Sequence, residues 1–444
     1  MKKAPGPGIL GVEKTPENIT KEGALTEKDT RLVALTQAKI GQYAELVGRK
    51  CTRPERKCMG DMVYGLLKTG KPQLGSIGRS LGEAISVKKR TERLSRHLRK
   101  VDLHGRMMEG YGSAQRAKLS RCEYLLVDLT DVTKEYATRM EGQAGVYDGS
   151  AGGKGYGYNL VTITGVGTTR SEVVPAYEEL YSLSAEVTSE NEKILDGIHA
   201  VYLHTSGNAP FVMDRGADRG RIIKPLMDEK IPFIIRMTSK RDVWVGDEKI
   251  RIWKAASDTK LSYEVRVVRR GKNREKVVNL LCGARLVRLT KEGVVMWLVS
   301  AKYTGRTGGR FYFLTNLTCE TQEDLIRKVV RGYHMRWIIE EVHREIKDDL
   351  NLEAIRLFDY HSIKNMSALV WITAGFYYTR LAGLESMDIL LDMARSVVYR
   401  LKLKEITGFI YYKLFAVVST LLKGSRRIRH IMFPNQKLLQ LSFL

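Results

Sequence analysis

Apolar positions return along this chain with two different periods, and the period changes along its length. Between residues 31 and 118 they recur every three to four positions, in "RLVALTQAKIGQYAELVG", "GDMVYGLLKTG", "LGSIGRSLGEAI" and "SVKKRTERLSRHLRKVDL". That spacing lines one face of an amphipathic helix. From residue 121 the pattern shortens to strand-like runs: "YLLVDLTDV" (124–132), "YNLVTITGVG" (158–167) and "SEVVPAYEELYS" (171–182). The first is a continuous apolar run of the kind buried on both faces of a sheet. A helical stretch, "SENEKILDGIHAVYLH", follows, then "APFVMDRGADRG" (209–220), the helical "RIIKPLMDEK" and "IPFIIRM" (231–237). Strand, helix and strand in that order predict a parallel crossover and hence an α/β core.

Residues 238–318 carry short alternating segments such as "YEVRVVRR", "ARLVRLT", "VVMWLVS" and "RFYFLTNL", which predict an all-β insertion. After it, "GYHMRWIIEEVHREIKDDL" (332–350) predicts one amphipathic helix. "ALVWITAGFYYTRLAGL" (368–384) and "GFIYYKLFAVVSTLL" (408–422) predict buried helices; each is interrupted by Lys or Arg and is short of the roughly 20 residues a membrane span requires. Residues 1–30, rich in Pro, Gly, Lys, Glu and Thr, predict a flexible tail. The expected organisation is therefore a tail (1–30), a helical domain (31–120), an α/β domain in two pieces (121–237 and 319–380), the β insertion (238–318) and a helical C-terminal region (381–444).

Charge narrows the partners. The chain holds 74 Lys and Arg against 50 Asp and Glu, a net +24. The excess is spread along the chain, which points to a polyanion; nucleic acid fits best, because each neutralised phosphate releases counterions. The start, "MKKAPGPGIL", has Pro and Gly where a signal peptide needs an apolar run, so no export is indicated. Cys51, Cys58, Cys122, Cys282 and Cys319 are odd in number and lack CxxC or zinc spacing, which predicts reduced cytosolic thiols. In "SVKKRTERLSRHLRKVDL", Ser86 can cap the helix, Val87, Leu94 and Leu98 make a narrow apolar stripe, and Lys88, Lys89, Arg90, Arg93, Arg96, Arg99 and Lys100 cover the rest. Such a face suits DNA phosphates better than mere solubility. The Gly-rich stretch 142–159 is no phosphate loop: Gly155 stands where Ser or Thr is needed, and no helix follows. It predicts a mobile connection.

Three carboxylates have placements that chemistry can use. Asp128 lies inside the first buried strand, where a charge is costly unless paired or metal-bound. Asp214 ends the strand "FVMD", the end at which open α/β sheets bind ligands. On the 332–350 helix, at about 100° per residue, Tyr333, Arg336, Glu340 and Lys347 fall within roughly 60° of one another, with Arg344 beside them. Met335, Ile339, Val342 and Ile346 gather on the opposite, core-facing side. One reading is a solvated face with Glu340 and Arg344 as an i,i+4 ion pair; the other is a carboxylate among phosphate-binding groups. Two Asp and one Glu can hold two Mg²⁺ ions that clamp the oxygens of an in-line phosphoryl displacement.

The spacing Tyr333, two residues, Arg336, three residues, Glu340, six residues, Lys347 is the complete Y-R-E-K signature, and the chain resembles the insertion-sequence transposases of bacteria with an RNase H-like DDE core. "LLVDLTD", "FVMDRGAD" and "FYFLTNL" resemble that family's two aspartate strands and the strand closing its β insertion. The resemblance covers residues 60–380. It implies an α/β fold with an RNase H-like mixed sheet and an activity that cleaves transposon ends and transfers their 3′ ends to target DNA. Asp128, Asp214 and Glu340 would be the catalytic, metal-binding triad for two Mg²⁺, or Mn²⁺; Tyr333, Arg336 and Lys347 would contact DNA. An aromatic residue of the closing strand, usually Trp in the family, stacks on a flipped base while a hairpin forms. Here Phe311 stands there, followed by Tyr312, with Trp297 one strand earlier. The implied partners are double-stranded DNA, as terminal inverted repeats and as target, and a second copy in a homodimer on DNA; the implied location is the bacterial cytoplasm, at the nucleoid, with no membrane. A transposase-derived DNA-binding protein without catalysis, or an RNase H-like nuclease, are the alternatives.

Overall fold

The computed structural model describes residues 27–134, 137, 139–148, 152–168, 172–270, 275–305, 309–381 and 410–433. The tail expected at 1–30 lies outside them except for residues 27–30, which already belong to helix α1 (Glu27–Val47). Much of the C-terminal region expected at 381–444 also lies outside the described residues.

The N-terminal part is helical, as its periodicity predicts. After α1 come α2 (Arg53–Thr69), α3 (Leu74–Ser80), α4 (Val87–Leu98) and α5 (Leu103–Leu119). Thr52 and Glu55 form a capping box at the start of α2, and Gly70, in the left-handed conformation, ends it. Ser86 caps α4 by accepting the Lys89 N–H at 3.3 Å. The far end of the chain returns to these helices: α12 (Ile410–Lys423) packs on α2, and α13 (Arg429–Met432) on α1. Between them Arg427, 2 % exposed, pairs with buried Asp61 and, at 3.1 Å, with buried Glu83.

The middle of the chain forms one mixed sheet. Strands β1 (Tyr124–Thr133), β2 (Ala144–Asp148), β3 (Gly153–Val166) and β4 (Val173–Tyr181) are followed by helix α6 (Glu190–Tyr202), β5 (Phe211–Met213), α7 (Gly220–Asp228) and β6 (Phe233–Arg236). β4 pairs with β3 and β3 with β1, both antiparallel; β1 pairs with β5 and β5 with β6, both parallel. The predicted crossover is present. The Gly-rich segment, expected to be a connection only, supplies β2 and the start of β3, because Val146 and Tyr158 bury apolar side chains that a free loop would expose.

Residues 238–318 are not purely β. They contain β7 (Asp242–Val245), β8 (Glu248–Arg251), the short helix α8 (Ile252–Ser257), β9 (Tyr263–Arg270), β10 (Glu275–Arg288), β11 (Val295–Tyr303) and β12 (Phe311–Thr315). α8 forms where Ile252, Ala255 and Ala256 at helical spacing bury together. These strands extend the same sheet, since β12 pairs with β6. The segment 332–350 is two helices: α9 (Gln322–Met335) and α10 (Trp337–Asp349), meeting at Arg336. Arg336 keeps helical angles, but its N–H bonds Tyr333 and its carbonyl accepts from Ile339, both three residues away, which tightens the turn. α9 packs against β6 and β9, and α10 against β1. Helix α11 (Tyr360–Phe376) is buried along its whole length, as expected of its apolar run.

Candidate active site

Register brings the two aspartates together. Leu125 pairs with Phe211 and Leu126 with Val212, and two residues further the same parallel register sets Asp128 level with Asp214. Asp214 follows the last residue of β5 and is exposed, its carboxylate accepting the Gly216 N–H at 2.7 Å. The other acid of that turn, Asp218, is consumed by structure: it accepts from the Thr238 N–H and hydroxyl at 2.8 and 2.7 Å and pairs with Arg241.

Glu340 enters from α10, exposed, with Arg336 between it and the strand. The Arg336 guanidinium lies 3.2 Å from Asp128 and also bonds Glu340. Burial raises the pKa of Asp128 most; Arg336 opposes the rise, and Asp214 and Glu340 add to it, leaving the group at about 6. All three carboxylates therefore act on one locality. Thr162, opposite Asp128 on β3, donates to the Asp128 carbonyl at 3.3 Å and bonds His343 at 2.6 Å. The other His343 nitrogen is 3.9 Å from the Asp128 carboxylate, and burial pushes this imidazole down to about 3, so it is neutral.

Other expected site residues are distributed differently. Lys347 is 2.9 Å from Glu353 and 3.9 Å from Asp131 on β1, acids that lie outside its own helix and so escape an i,i+4 count. Arg344 pairs with Glu341, and the partner of Glu340 is Arg336, which corrects the expected Glu340–Arg344 pair. Tyr333, near the end of α9, packs its ring against Phe313, and its hydroxyl accepts from Arg236 at 2.9 Å. The Arg236 guanidinium also lies over Phe311, 5.0 Å from the ring centre. Trp297 is half-buried on β11, opposite Thr315.

On α4 the expected cationic face is only partly outward. Lys88, Lys89, Arg96 and Arg99 are exposed. Arg90 is buried and donates to the Ile85 and Gly78 carbonyls, and Arg93 pairs with Asp61 and Glu83. These two arginines face the domain because buried carbonyls and acids require donors there.

His343, Thr162 and Arg236 were not singled out by the sequence. His343 follows Glu340 by three residues, one helical step around, and Arg236 is a charge closing an apolar strand, the same signal that marked Asp214.

Residues 124–374, more than half of the chain, match the family described as the transposase DDE domain. The chain belongs to that family. It is a DDE transposase of the insertion-sequence type, a class of DNA-cleaving enzymes, and its mixed sheet is consistent with an RNase H-like DDE domain. A search of curated proteins finds no match. No helix among the described residues is long and apolar enough to cross a membrane.

DDE transposases use divalent ions. Among the described residues no three His, Cys, Asp or Glu side chains stand close enough to hold an ion as they are. The donor set nevertheless fits a hard cation: three carboxylates, two of them level on adjacent strands, whose mutual repulsion a divalent charge would relieve.

Proposed function

We propose that this chain carries out cut-and-paste transposition: it binds the terminal inverted repeats of its element, cleaves phosphodiesters there and transfers the 3′ ends to target DNA. The observation that carries the reading is the alignment of Asp128 with Asp214 across β1 and β5, with Glu340 close enough to shift Asp128.

Asp128, Asp214 and Glu340 would hold two Mg²⁺, or Mn²⁺, which when bound polarise the scissile phosphate and the attacking and leaving oxygens. Asp128 is held by the residues around it: its carbonyl by Thr162, which His343 orients, and its carboxylate by Arg336. Arg336 and Lys347 lie on the same side of α10 as Glu340 and contact the DNA backbone, where a fixed cation favours phosphate. Tyr333 and Phe311, joined by Arg236, lie along the path to β12 and meet the DNA end. The exposed cations Lys88, Lys89 and Arg96 of α4 engage a more distant stretch of duplex. The reading includes a homodimer that pairs two ends, a cytoplasmic, nucleoid-associated location, and the division into a helical DNA-binding domain (31–120), a two-part RNase H-like catalytic domain and the intervening insertion.

The test is Mg²⁺ titrated against end-labelled DNA carrying the element's terminal repeat. Cleavage at the repeat boundary by the wild type and none by Asp128→Asn supports the reading; binding without cleavage at any ion concentration would leave a DNA-binding protein derived from a transposase.

A further inference from the structure

The Gly-rich stretch 142–159 has no part in the site described above, yet it is built as a ribbon. β2 pairs with β3 beyond the point where β1 ends, so the two strands run on past the catalytic edge of the sheet. Opposed residues of an antiparallel pair share a face, and so does every second residue along a strand. Thr162 lies opposite Asp128 and bonds His343 on the active-site face. Counting back from Thr162 in steps of two reaches Tyr156 and Lys154, and the β2 register adds Tyr147 opposite Lys154. Tyr147, Lys154 and Tyr156 therefore look out over the same face of the sheet as Asp128.

The side chains of Tyr147 and Tyr156 are 69 % and 70 % exposed, and Phe358 is 73 % exposed. Among the described residues these are the three most exposed aromatic side chains. Phe358 is tied to the ribbon: its carbonyl accepts the Glu141 N–H at 2.9 Å, and Lys134, just past β1, donates to the Glu353 and Ile355 carbonyls at 2.6 and 3.1 Å. The turn that carries exposed Arg356 is thereby clamped beside the strands, with Arg139 and Lys154 exposed nearby. Exposed aromatic rings interleaved with cations wedge into the minor groove and pack on sugars while the cations meet phosphates, largely without selecting a sequence.

We propose that this ribbon and turn grip the flanking duplex, the DNA just outside the cleaved transposon end. The proposal rests on Asp128 marking the cleavage point. From Thr162 to Tyr156 is six residues, roughly 20 Å of strand, or about six base pairs of duplex. Flanking sequence differs with every insertion, so a sequence-tolerant surface suits it, whereas the repeat itself would call for base-reading side chains.

The experiment compares two duplexes without divalent ion: the terminal repeat alone, and the repeat with about twenty base pairs of flank. Combined Tyr147→Ala, Tyr156→Ala and Phe358→Ala should weaken binding of the flanked duplex by about tenfold, as loss of apolar groove and sugar contacts does, and leave the bare repeat within twofold. Equal weakening of both, or of neither, overturns the proposal. As a second measurement that does not depend on the triple variant folding, a photoreactive benzoylphenylalanine at position 156 should crosslink the flank about six base pairs from the cut; a crosslink inside the repeat overturns it. Cleavage by the wild type, assayed in parallel, separates failure of the active-site reading from failure of this grip on the flank.

Discussion

Arg336 and Asp128 face each other at 3.2 Å, an arginine of the signature helix against the aspartate of the first strand. The pair puts a fixed positive charge among three carboxylates. Arg336→Ala should leave those acids repelling one another, with Asp128 driven further above its present value of about 6. Its melting temperature without divalent ion should fall, and millimolar Mg²⁺ should raise it more than it raises that of the wild type. A variant that responds to Mg²⁺ no more than the wild type would show that the acids do not share an ion.

If Glu340 holds the metal as proposed, Glu340→Gln should abolish Mg²⁺-dependent nicking of end DNA and leave binding within a few-fold, since the cations proposed to meet phosphate stay. Asp128→Asn and Asp214→Asn should behave alike, whereas Asp218→Asn, on the neighbouring turn, should lower stability by weakening its bonds to Thr238 and Arg241. Gel shift and nicking on the same preparations separate the two effects.

Lys347→Glu should fold and be inactive in strand transfer. Its ion pair with Glu353 is partly exposed, so losing it costs at most about 1 kcal/mol; repulsion from Glu353 and Asp131 lowers the melting temperature further, and the reversed charge repels phosphate. Circular dichroism and thermal melting check the fold. Normal transposition by this variant would remove Lys347 from the DNA path.

Neutralising Lys88, Lys89, Arg96 and Arg99 on α4 should weaken DNA binding and flatten its salt dependence, by about 0.9 in slope for each phosphate no longer neutralised. Arg90→Ala should act otherwise, destabilising the protein by about 2–3 kcal/mol by stripping the Gly78 and Ile85 carbonyls of a charged donor. An unchanged slope in the first variant would make α4 a solvated surface.

Glu345 should tilt stability with pH. Burial raises its carboxyl most; the Tyr378 hydroxyl opposes and Asp349 adds, leaving it at about 7 against an ordinary 4.5. The folded protein binds that proton more tightly than the unfolded chain, so the stability it contributes is complete below 4.5 and is lost as pH rises through about 7. Glu345→Gln should melt higher than the wild type at pH 8 and flatten the decline between pH 5 and 8. Asp349, also held at about 7 by burial, should leave part of the slope in place.

Strand content was legible because β1, β3 and β6 bury their residues in long apolar runs, and the crossover from β5 to β6 followed from element order. The helix break was not: Arg336 keeps helical angles, and the turn tightens there through bonds to Tyr333 and Ile339 that no residue type in the segment signals. The contact of Tyr333 with Phe313 joins two distant segments, which helical spacing does not reveal. On α4 the count of cations was right and their direction partly wrong, because the acids that turn Arg93 inward, Asp61 and Glu83, sit on other segments. Asp214 stood out from Asp218 only as the residue ending the strand, and the structure gives the reason in the partners Asp218 has taken.

The link between Asp61 and Arg427 has a bearing on synthesis. The two residues are 366 positions apart, and at translation speeds of 5–20 residues per second the first waits roughly 20–70 s for the second. Until then a buried carboxylate near the start of the chain has only Arg93 and its surroundings to balance it. The helical lobe that carries α4 thus reaches its final packing only after residue 427 has left the ribosome, and fragments truncated before that residue should be poor substitutes for the 444-residue chain in any DNA-binding assay.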